Sequence, residues 1–404
     1  MTQTFIVAGS SIAGLSAARE LRRGGFDGRL ITIDSDPHAP YRRPEVSKGL
    51  LKVDLADSRA KLQWSEELGA ERLTARLTGL DAGEHLVRGV GDEGELALSY
   101  DALVIATGVR SRPSPFPPLG GVHSLRFATD SAALRRELDG VMSVVIVGGG
   151  FIGLEVATVL GGMGREVTVI EPMAMPLAHI LGPEFSAELQ RKHMAEGVRF
   201  RLGTTVQQLV ADPTGERVSG VRTSEGDVLP AELVLVAVGS VPAIDWLEGS
   251  GLVLEGGIVC DATCAAIGAE DVVAAGDIAV WENPLYGRRM RVEHWSHAIE
   301  QGTYAAKRLL GTHDPAGFVS VPYFWTEQVG LRIQSIGSTF GYDRVEVLDP
   351  DPERMFVAYL KGDRVISVAG FAAGASIFMF RGLIAAGATI DEVRAQFEHL
   401  QQAA

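Results

Sequence analysis

Val144-Val145-Ile146-Val147-Gly148-Gly149-Gly150-Phe151-Ile152-Gly153 decides how this chain folds. Four apolar residues read as a strand, three glycines turn the chain, and a helical pattern follows through about Met163. Gly148 permits the tight turn, Gly150 lets the backbone approach a pyrophosphate, and Gly153 lets the helix lie close against the strand, its N-terminus facing the phosphates. The next strand, Glu166-Val167-Thr168-Val169-Ile170, ends on Glu171, 18 residues beyond Gly153, where a carboxylate can accept from a ribose hydroxyl.

The same plan stands 139 residues earlier. Phe5-Ile6-Val7-Ala8 runs into Gly9-Ser10-Ser11-Ile12-Ala13-Gly14, with Ser11 in place of the middle glycine, and a helix is expected from about Ile12 to Arg23. Strand Leu30-Ile31-Thr32-Ile33 closes on Asp34, 20 residues beyond Gly14, with Asp36 as a second candidate for the ribose. Two fingerprints, each flanked by strand, helix and carboxylate, imply two dinucleotide sites.

Each unit also has a closing strand: Ala102-Leu103-Val104-Ile105 before Ala106-Thr107-Gly108, and Leu233 to Val238 before Gly239. The Pro-rich stretch 112–118 reads as a linker or crossover. Val272-Val273-Ala274-Ala275-Gly276-Asp277 is a further strand that follows the end of the second unit and is expected to return to the first. Beyond it, Met355 to Leu360 and Val365 to Gly370 flank Lys361-Gly362-Asp363-Arg364 as a hairpin, with a helix expected from about Ala375 to Ala386. The fold class is therefore α/β, with two doubly wound dinucleotide-binding domains and a C-terminal α+β domain, a glutathione-reductase-like arrangement.

With 404 residues, 46% hydrophobic and 22% charged, the chain is globular and long enough for two or three domains. A net charge of −14 argues against a nucleic-acid partner. No apolar run approaches the roughly 18 residues a bilayer span needs. The run around Ile377-Phe378-Met379-Phe380 stops at Arg381, and Met1-Thr2-Gln3-Thr4 leads into a strand rather than a signal peptide, so a cytoplasmic protein without membrane attachment is expected. Cys260 and Cys264 are the only cysteines; their spacing could suit one helix face, but no further ligand stands near, and they read as reduced, partly buried thiols rather than a metal site.

Taken together, both fingerprints, Tyr41-Arg42-Arg43-Pro44-Glu45-Val46-Ser47-Lys48, Ala106-Thr107-Gly108, Gly276-Asp277, Glu293-His294-Trp295 and Pro322-Tyr323-Phe324-Trp325 resemble the FAD- and NADH-dependent ferredoxin reductases of bacterial oxygenase systems. This group includes putidaredoxin reductase and the reductases of biphenyl-type dioxygenases, and the likeness runs through essentially the whole chain. It implies an FAD-binding domain of residues 1–110 and 242–315, an NADH-binding domain of 111–241 and a C-terminal domain of 316–404.

For FAD, the resemblance implies Gly9, Ser11, Ile12, Ala13, Gly14, Arg43, Leu77, Ala106, Thr107, Gly108, Arg126 and Gly276 as contacts. Asp277 would hold the ribityl chain, Glu293, His294 and Trp295 would meet the pyrimidine end, and the ribose acid stays open among Asp34, Ser35 and Asp36. For NADH it implies Gly148, Gly150, Phe151, Ile152, Gly153, Glu155, Glu171 and Gly239. Lys48 would lie near the reactive edge of the isoalloxazine, with Glu155 as its partner, and these two are the catalytic candidates. Met175 and His179 stand where the family often has basic residues, and Glu45 and Val46 where it often has proline and leucine.

The implied activity is transfer of electrons from NADH through FAD to a small iron-sulfur ferredoxin that feeds an oxygenase of P450 or Rieske type. Arg288, Arg289, Arg291 and Arg42 are candidates for docking an acidic ferredoxin. The segment Ser47-Lys48-Gly49-Leu50-Leu51 has no cysteine, which argues against a thiol relay. Two alternatives stand beside this reading: a rubredoxin reductase, and a signalling flavoprotein resembling apoptosis-inducing factor.

Overall fold

Strands Thr4–Ala8, Ala102–Ile105 and Val272–Ala274 are apolar apart from Thr4 because parallel strands in a doubly wound sheet are covered on both faces. In the computed structural model, which describes residues 3–64 and 68–403, Ile6, Val7, Leu103, Val104, Val273 and Ala274 are fully buried. The chain divides into two compact units, the first made of Met1–Arg43, Arg59–Arg110 and Ser240–Pro322, the second of Pro44–Ser58, Ser111–Gly239 and Tyr323–Ala404.

The first unit is built on a seven-stranded sheet in the order Val272–Ala274, Ala102–Ile105, Thr4–Ala8, Arg29–Asp34, Ala70–Asp81, Leu86–Gly91 and Gly94–Ser99. Its first five strands pair in parallel, and the last two form an antiparallel meander. Val272 pairs with Leu103, so the late strand does return to the first sheet. Helices Ile12–Arg23 and Trp295–Leu309 cross on this unit at close range: a Cβ at Gly302 would strike the backbone of Ala13.

The second unit carries a parallel five-stranded sheet, ordered Arg199–Leu202, Glu166–Glu171, Ser143–Val147, Leu233–Val236 and Val122–His123. A three-stranded antiparallel sheet of Val206–Ala211, Val218–Thr223 and Val228–Pro230 accompanies it. The C-terminal part is a five-stranded antiparallel sheet, Tyr323–Gln328, Leu331–Gly337, Arg364–Phe371, Phe356–Lys361 and Arg344–Asp349. Phe185, Leu189, Leu154, Ile333, Val357, Tyr359 and Phe371 share one core there.

Three local readings need correction. The helix expected over 375–386 is a 3-10 stretch, Gly374–Met379, followed by the short α-helix Phe380–Ala386, and a final helix Ile390–Ala403 was not anticipated. Gly374 opens the 3-10 stretch at φ +62°. The cysteines share no helix face, since Cys260 ends strand Ile258–Cys260 and Cys264 sits at φ +65° in a turn that Asp261 ties through the N–H groups of Thr263 and Ala265.

Candidate functional site

The two fingerprints repeat down to single hydrogen bonds. Gly9 N–H donates to Ile33 O at 2.7 Å, and Gly148 N–H to Ile170 O at 2.8 Å. Ser10 N–H donates to Asp34 Oδ2 at 2.7 Å, and Gly149 N–H to Glu171 Oε2 at 2.7 Å. The other oxygen of each acid accepts the N–H two residues on, from Asp36 at 3.0 Å and Met173 at 2.9 Å. Gly9 and Gly148 sit at φ +99° and +112°, and a Cβ on either would strike the carbonyl of Ala106 or Ala237. A Cβ on Gly14 or Gly153 would strike the carbonyl of Gly9 or Gly148. These four glycines are demanded by the protein's own backbone.

Gly150 is different. Its φ is −76°, open to any residue, and a Cβ there meets nothing within 4 Å. No described protein atom requires glycine at this place; a pyrophosphate close to the backbone would. Neither fingerprint helix has a side-chain cap or an acid in its first turn, which leaves its N–H groups and dipole for an anion. The residues present therefore fit a dinucleotide. At the first site Ser11 takes the middle position, and its Oγ accepts from Arg43 Nε at 3.3 Å.

The candidate ribose acids differ in what they have left to offer. Asp36 is buried, with Oδ2 accepting from Tyr41 Oη at 2.8 Å and facing Arg43 at 3.5 Å, while Oδ1 takes the N–H and ring of His38. Asp34 is half-buried and Ser35 exposed. Asp36 thus braces the Tyr41-Arg43 turn, and Asp34 is the acid at the edge of the cradle.

Around the first fingerprint, Ala106 is buried, Thr107 and Gly108 are half-buried, and the Gly108 carbonyl accepts from Ala243 N–H at 3.0 Å. Gly276 N–H donates to Gln301 Oε1 at 2.8 Å, which fixes the turn that presents half-buried Asp277. Glu293 accepts from Ser240 Oγ and pairs with Arg291 at 2.7 Å, and His294 stands at the N-cap position of the helix that opens with half-buried Trp295. Burial holds His294 at a pKa of about 4. Leu77 is half-buried on strand Ala70–Asp81 against the first core.

In the second unit, Phe151 is half-buried, Ile152 is 42% exposed beside Gly150, and Gly239 takes φ +96° after the closing strand. Met175 is half-buried and His179 exposed. Arg126 belongs to this unit, its N–H donating to Asp130 Oδ2 at 2.8 Å. So does Lys48, whose Nζ lies 2.8 Å from Glu155 Oε1 and 3.0 Å from Pro44 O. Their side chains are 13% and 7% exposed, so this is no solvated surface pair. Glu155 also accepts from Ser47 Oγ and, at 2.5 Å, from Thr326 Oγ1. Sequence reading passes over Ser47 and Thr326: only the packing of strand Tyr323–Gln328 on the helix that carries Glu155 brings Thr326 to it.

Cys260 and Cys264 are almost wholly buried in the first core. Burial pushes the Cys260 thiol up to about 12 and the Cys264 thiol well above its ordinary value, so neither forms a thiolate near neutral pH. Of the arginines considered for docking, Arg289 pairs with Glu255 at 3.2 Å and Arg291 with Glu293, while Arg42 is exposed. Among the described residues, no helix is long and apolar enough to cross a membrane, and no cluster of three metal-ligating side chains forms.

Comparison with known proteins agrees with this architecture. Residues 3–302 match the family described as pyridine nucleotide-disulphide oxidoreductase, and residues 323–400 the reductase C-terminal family. The chain is 35% identical over 393 residues, 96% of its own length and 95% of the other's, to the anthranilate 1,2-dioxygenase system ferredoxin–NAD(+) reductase component of Burkholderia cepacia. Among solved structures it is similar to the ferredoxin reductase for the CYP199A2 system from Rhodopseudomonas palustris, with a TM-score of 0.90, 29% identity and 96% of each chain covered. It is also similar to the reductase in the covalent putidaredoxin reductase–putidaredoxin complex, with a TM-score of 0.89 and 28% identity, covering 95% of this chain and 93% of that one. The doubled cradle and these matches lead to one conclusion: the chain belongs to the pyridine nucleotide-disulphide oxidoreductase family, in the branch that carries the reductase C-terminal domain.

Proposed function

We propose that the protein is an NADH-dependent ferredoxin reductase, in which FAD occupies the Gly9–Gly14 cradle and NADH the Gly148–Gly153 cradle. The observation that carries this reading is a doubled dinucleotide site in a chain whose thiols are both buried in the core, one thiol pushed to about 12 and the other well above its ordinary value. Electrons then leave without a cysteine relay. When bound, the flavin accepts a hydride from nicotinamide and releases its two electrons one at a time, which suits it to a one-electron iron-sulfur carrier.

The chain's own residues bind, orient and supply charge. In the proposed division, residues 1–110 and 242–315 hold FAD, 111–241 hold NADH, and 316–404 form the C-terminal domain. Arg43 and the helix N-terminus at Ile12 meet the FAD pyrophosphate, Asp34 its ribose, and Asp277 its ribityl chain. Glu171 receives the NADH ribose hydroxyls and faces a 2′-phosphate with like charge. Lys48, held by Glu155 and Pro44 O, offers positive charge where the reduced ring becomes negative. The partner is a two-iron or other iron-sulfur ferredoxin serving a P450 or Rieske oxygenase in the cytoplasm. It docks through a surface that includes Arg42, Arg288, Arg289 and Arg291, of which Arg289 pairs with Glu255 and Arg291 with Glu293.

Absorbance of the native protein and of its supernatant after denaturation identifies the flavin. Assays with NADH and, in turn, a two-iron ferredoxin and a rubredoxin identify the carrier. Faster turnover with the ferredoxin is expected; preference for rubredoxin, or a stable NADH complex that reduces neither, contradicts the assignment.

A further inference from the structure

Glu155 is the terminus of a one-way chain of buried hydrogen bonds that begins 38 residues along the sequence, at His193. Strand Tyr323–Gln328 lies on helix Phe151–Gly162 in matched register, so that Phe324 packs on Phe151 with ring centroids 5.0 Å apart and Thr326 reaches Glu155. The match follows from geometry, since residues two apart on a strand and four apart on a helix share a face. Gln328, two residues further, lies on that same face, and its Nε2 is 2.9 Å from Thr326 Oγ1 while its Oε1 is 3.0 Å from His193 Nε2. Thr326, Gln328, His193 and Glu155 are each nine-tenths or more buried.

The direction of every bond in the chain is determined. Thr326 Oγ1 stands 2.5 Å from a carboxylate oxygen, a separation that requires the hydroxyl proton to lie between them. Having donated, the hydroxyl can only accept from Gln328, so the Gln328 amide points its NH2 at Thr326 and its oxygen at His193. His193 must then carry its proton on Nε2. Its Nδ1 is buried with no hydrogen-bond partner among the described residues, so a second ring proton would be unsatisfied, and burial holds the imidazole neutral.

The consequence falls on Lys48. Thr326 and Ser47 occupy both carboxylate oxygens of Glu155 from outside, leaving Oε1 a single open direction, which Lys48 Nζ fills at 2.8 Å. Pro44 O takes a second ammonium proton at 3.0 Å. A lysine ammonium has three protons. Two are fixed by the protein, and the third has a set direction.

We propose that Thr326 of the C-terminal domain, oriented by Gln328 and His193, is a positioning residue for flavin reduction that acts through Glu155 to aim the Lys48 ammonium. This rests on the reading of Lys48 given above, and it assigns the C-terminal domain a part in the NADH half-reaction. Thr326→Val removes the hydroxyl and keeps the shape; Thr326→Ser keeps the hydroxyl. In the FAD-loaded protein, Thr326→Val should slow bleaching of the flavin band by NADH about 5-fold or more, with NADH KM changed by less than about 2-fold, and Thr326→Ser should restore the rate. In a Glu155→Gln background the same Thr326→Val change should cost almost nothing, because the route is already broken.

A second readout needs no turnover. Acylation of lysines by acetic anhydride, read by mass spectrometry with exposed Lys52 as the internal standard, should label Lys48 several-fold faster in Thr326→Val than in the parent. If Thr326→Val loses its flavin, Gln328→Leu, which keeps the hydroxyl and removes its orienting partner, should shift the labelling in the same direction. Unchanged Lys48 labelling in either variant overturns the proposal, as does full additivity with Glu155→Gln. Should Glu155→Gln itself bleach at the parental rate, the reading of the Lys48–Glu155 pair fails instead.

Discussion

Gly150 and Gly153 are three residues apart in one motif, and they answer to different demands. At Gly153 a Cβ would collide with the Gly148 carbonyl, so Gly153→Ala should destabilise the second unit by about 1–3 kcal/mol, read as a lower thermal midpoint. At Gly150 a Cβ meets open space, so Gly150→Ala should leave the midpoint unchanged and raise the KM for NADH about 10-fold or more. Equal stability losses in the two variants would mean that Gly150 is structural. Glu171, tied to Gly149 and Met173 N–H groups at 2.7 and 2.9 Å, cannot swing away from a 2′-phosphate. A kcat/KM ratio of about 10 or more in favour of NADH over NADPH is expected, and equal values would remove Glu171 from the account.

At the scale of elements, the doubled strand-turn-helix plan was legible in the sequence because hydrophobic runs, glycine spacing and terminal acids are local signals. The return of Val272–Ala274 to the first sheet was legible too, since a strand that follows a closed domain must pair elsewhere. What was not legible depends on pairing between distant segments. Thr326 is one residue beyond a recognised motif, yet its contact with Glu155 arises only when the C-terminal strand lies on a helix 171 residues away in sequence. The crossing of helices Ile12–Arg23 and Trp295–Leu309 is another such pairing, and it yields a prediction. A Cβ at Gly302 would enter the Ala13 backbone at the start of the fingerprint helix, so Gly302→Ala should lower both the thermal midpoint and the flavin retained after gel filtration. Normal retention would show that the helices can separate without disturbing the cradle.

Across the whole molecule, buried neutral histidines lower stability as the pH falls. Burial lowers the pKa of His297 to about 3 and also lowers that of His193, whereas both take up protons near 6.5 once unfolded. The unfolded state therefore binds more protons as pH falls below about 6.5. Each such histidine should cost up to about 1.4 kcal/mol per pH unit until its folded pKa is reached. Urea unfolding at pH 7.5 and 5.5 checks the sign; equal midpoints would mean that these histidines charge without unfolding. The buried cysteines carry no part of the electron path in this account, so Cys260→Ala with Cys264→Ala should keep NADH-dependent carrier reduction within a few-fold of the parent, whatever their effect on packing.

A flavin held without a covalent bond would take hydride from NADH and pass single electrons to the carrier, so one visible band would report both half-reactions. Anaerobic stopped-flow absorbance addresses it directly, with the purified protein mixed first with NADH and then with an oxidised two-iron ferredoxin. The expected result is a yellow protein whose visible band bleaches with NADH and recovers as the ferredoxin is reduced, two carriers for each NADH consumed. A colourless protein that FAD cannot reconstitute, or a bleached one that a panel of iron-sulfur ferredoxins leaves bleached, would contradict it.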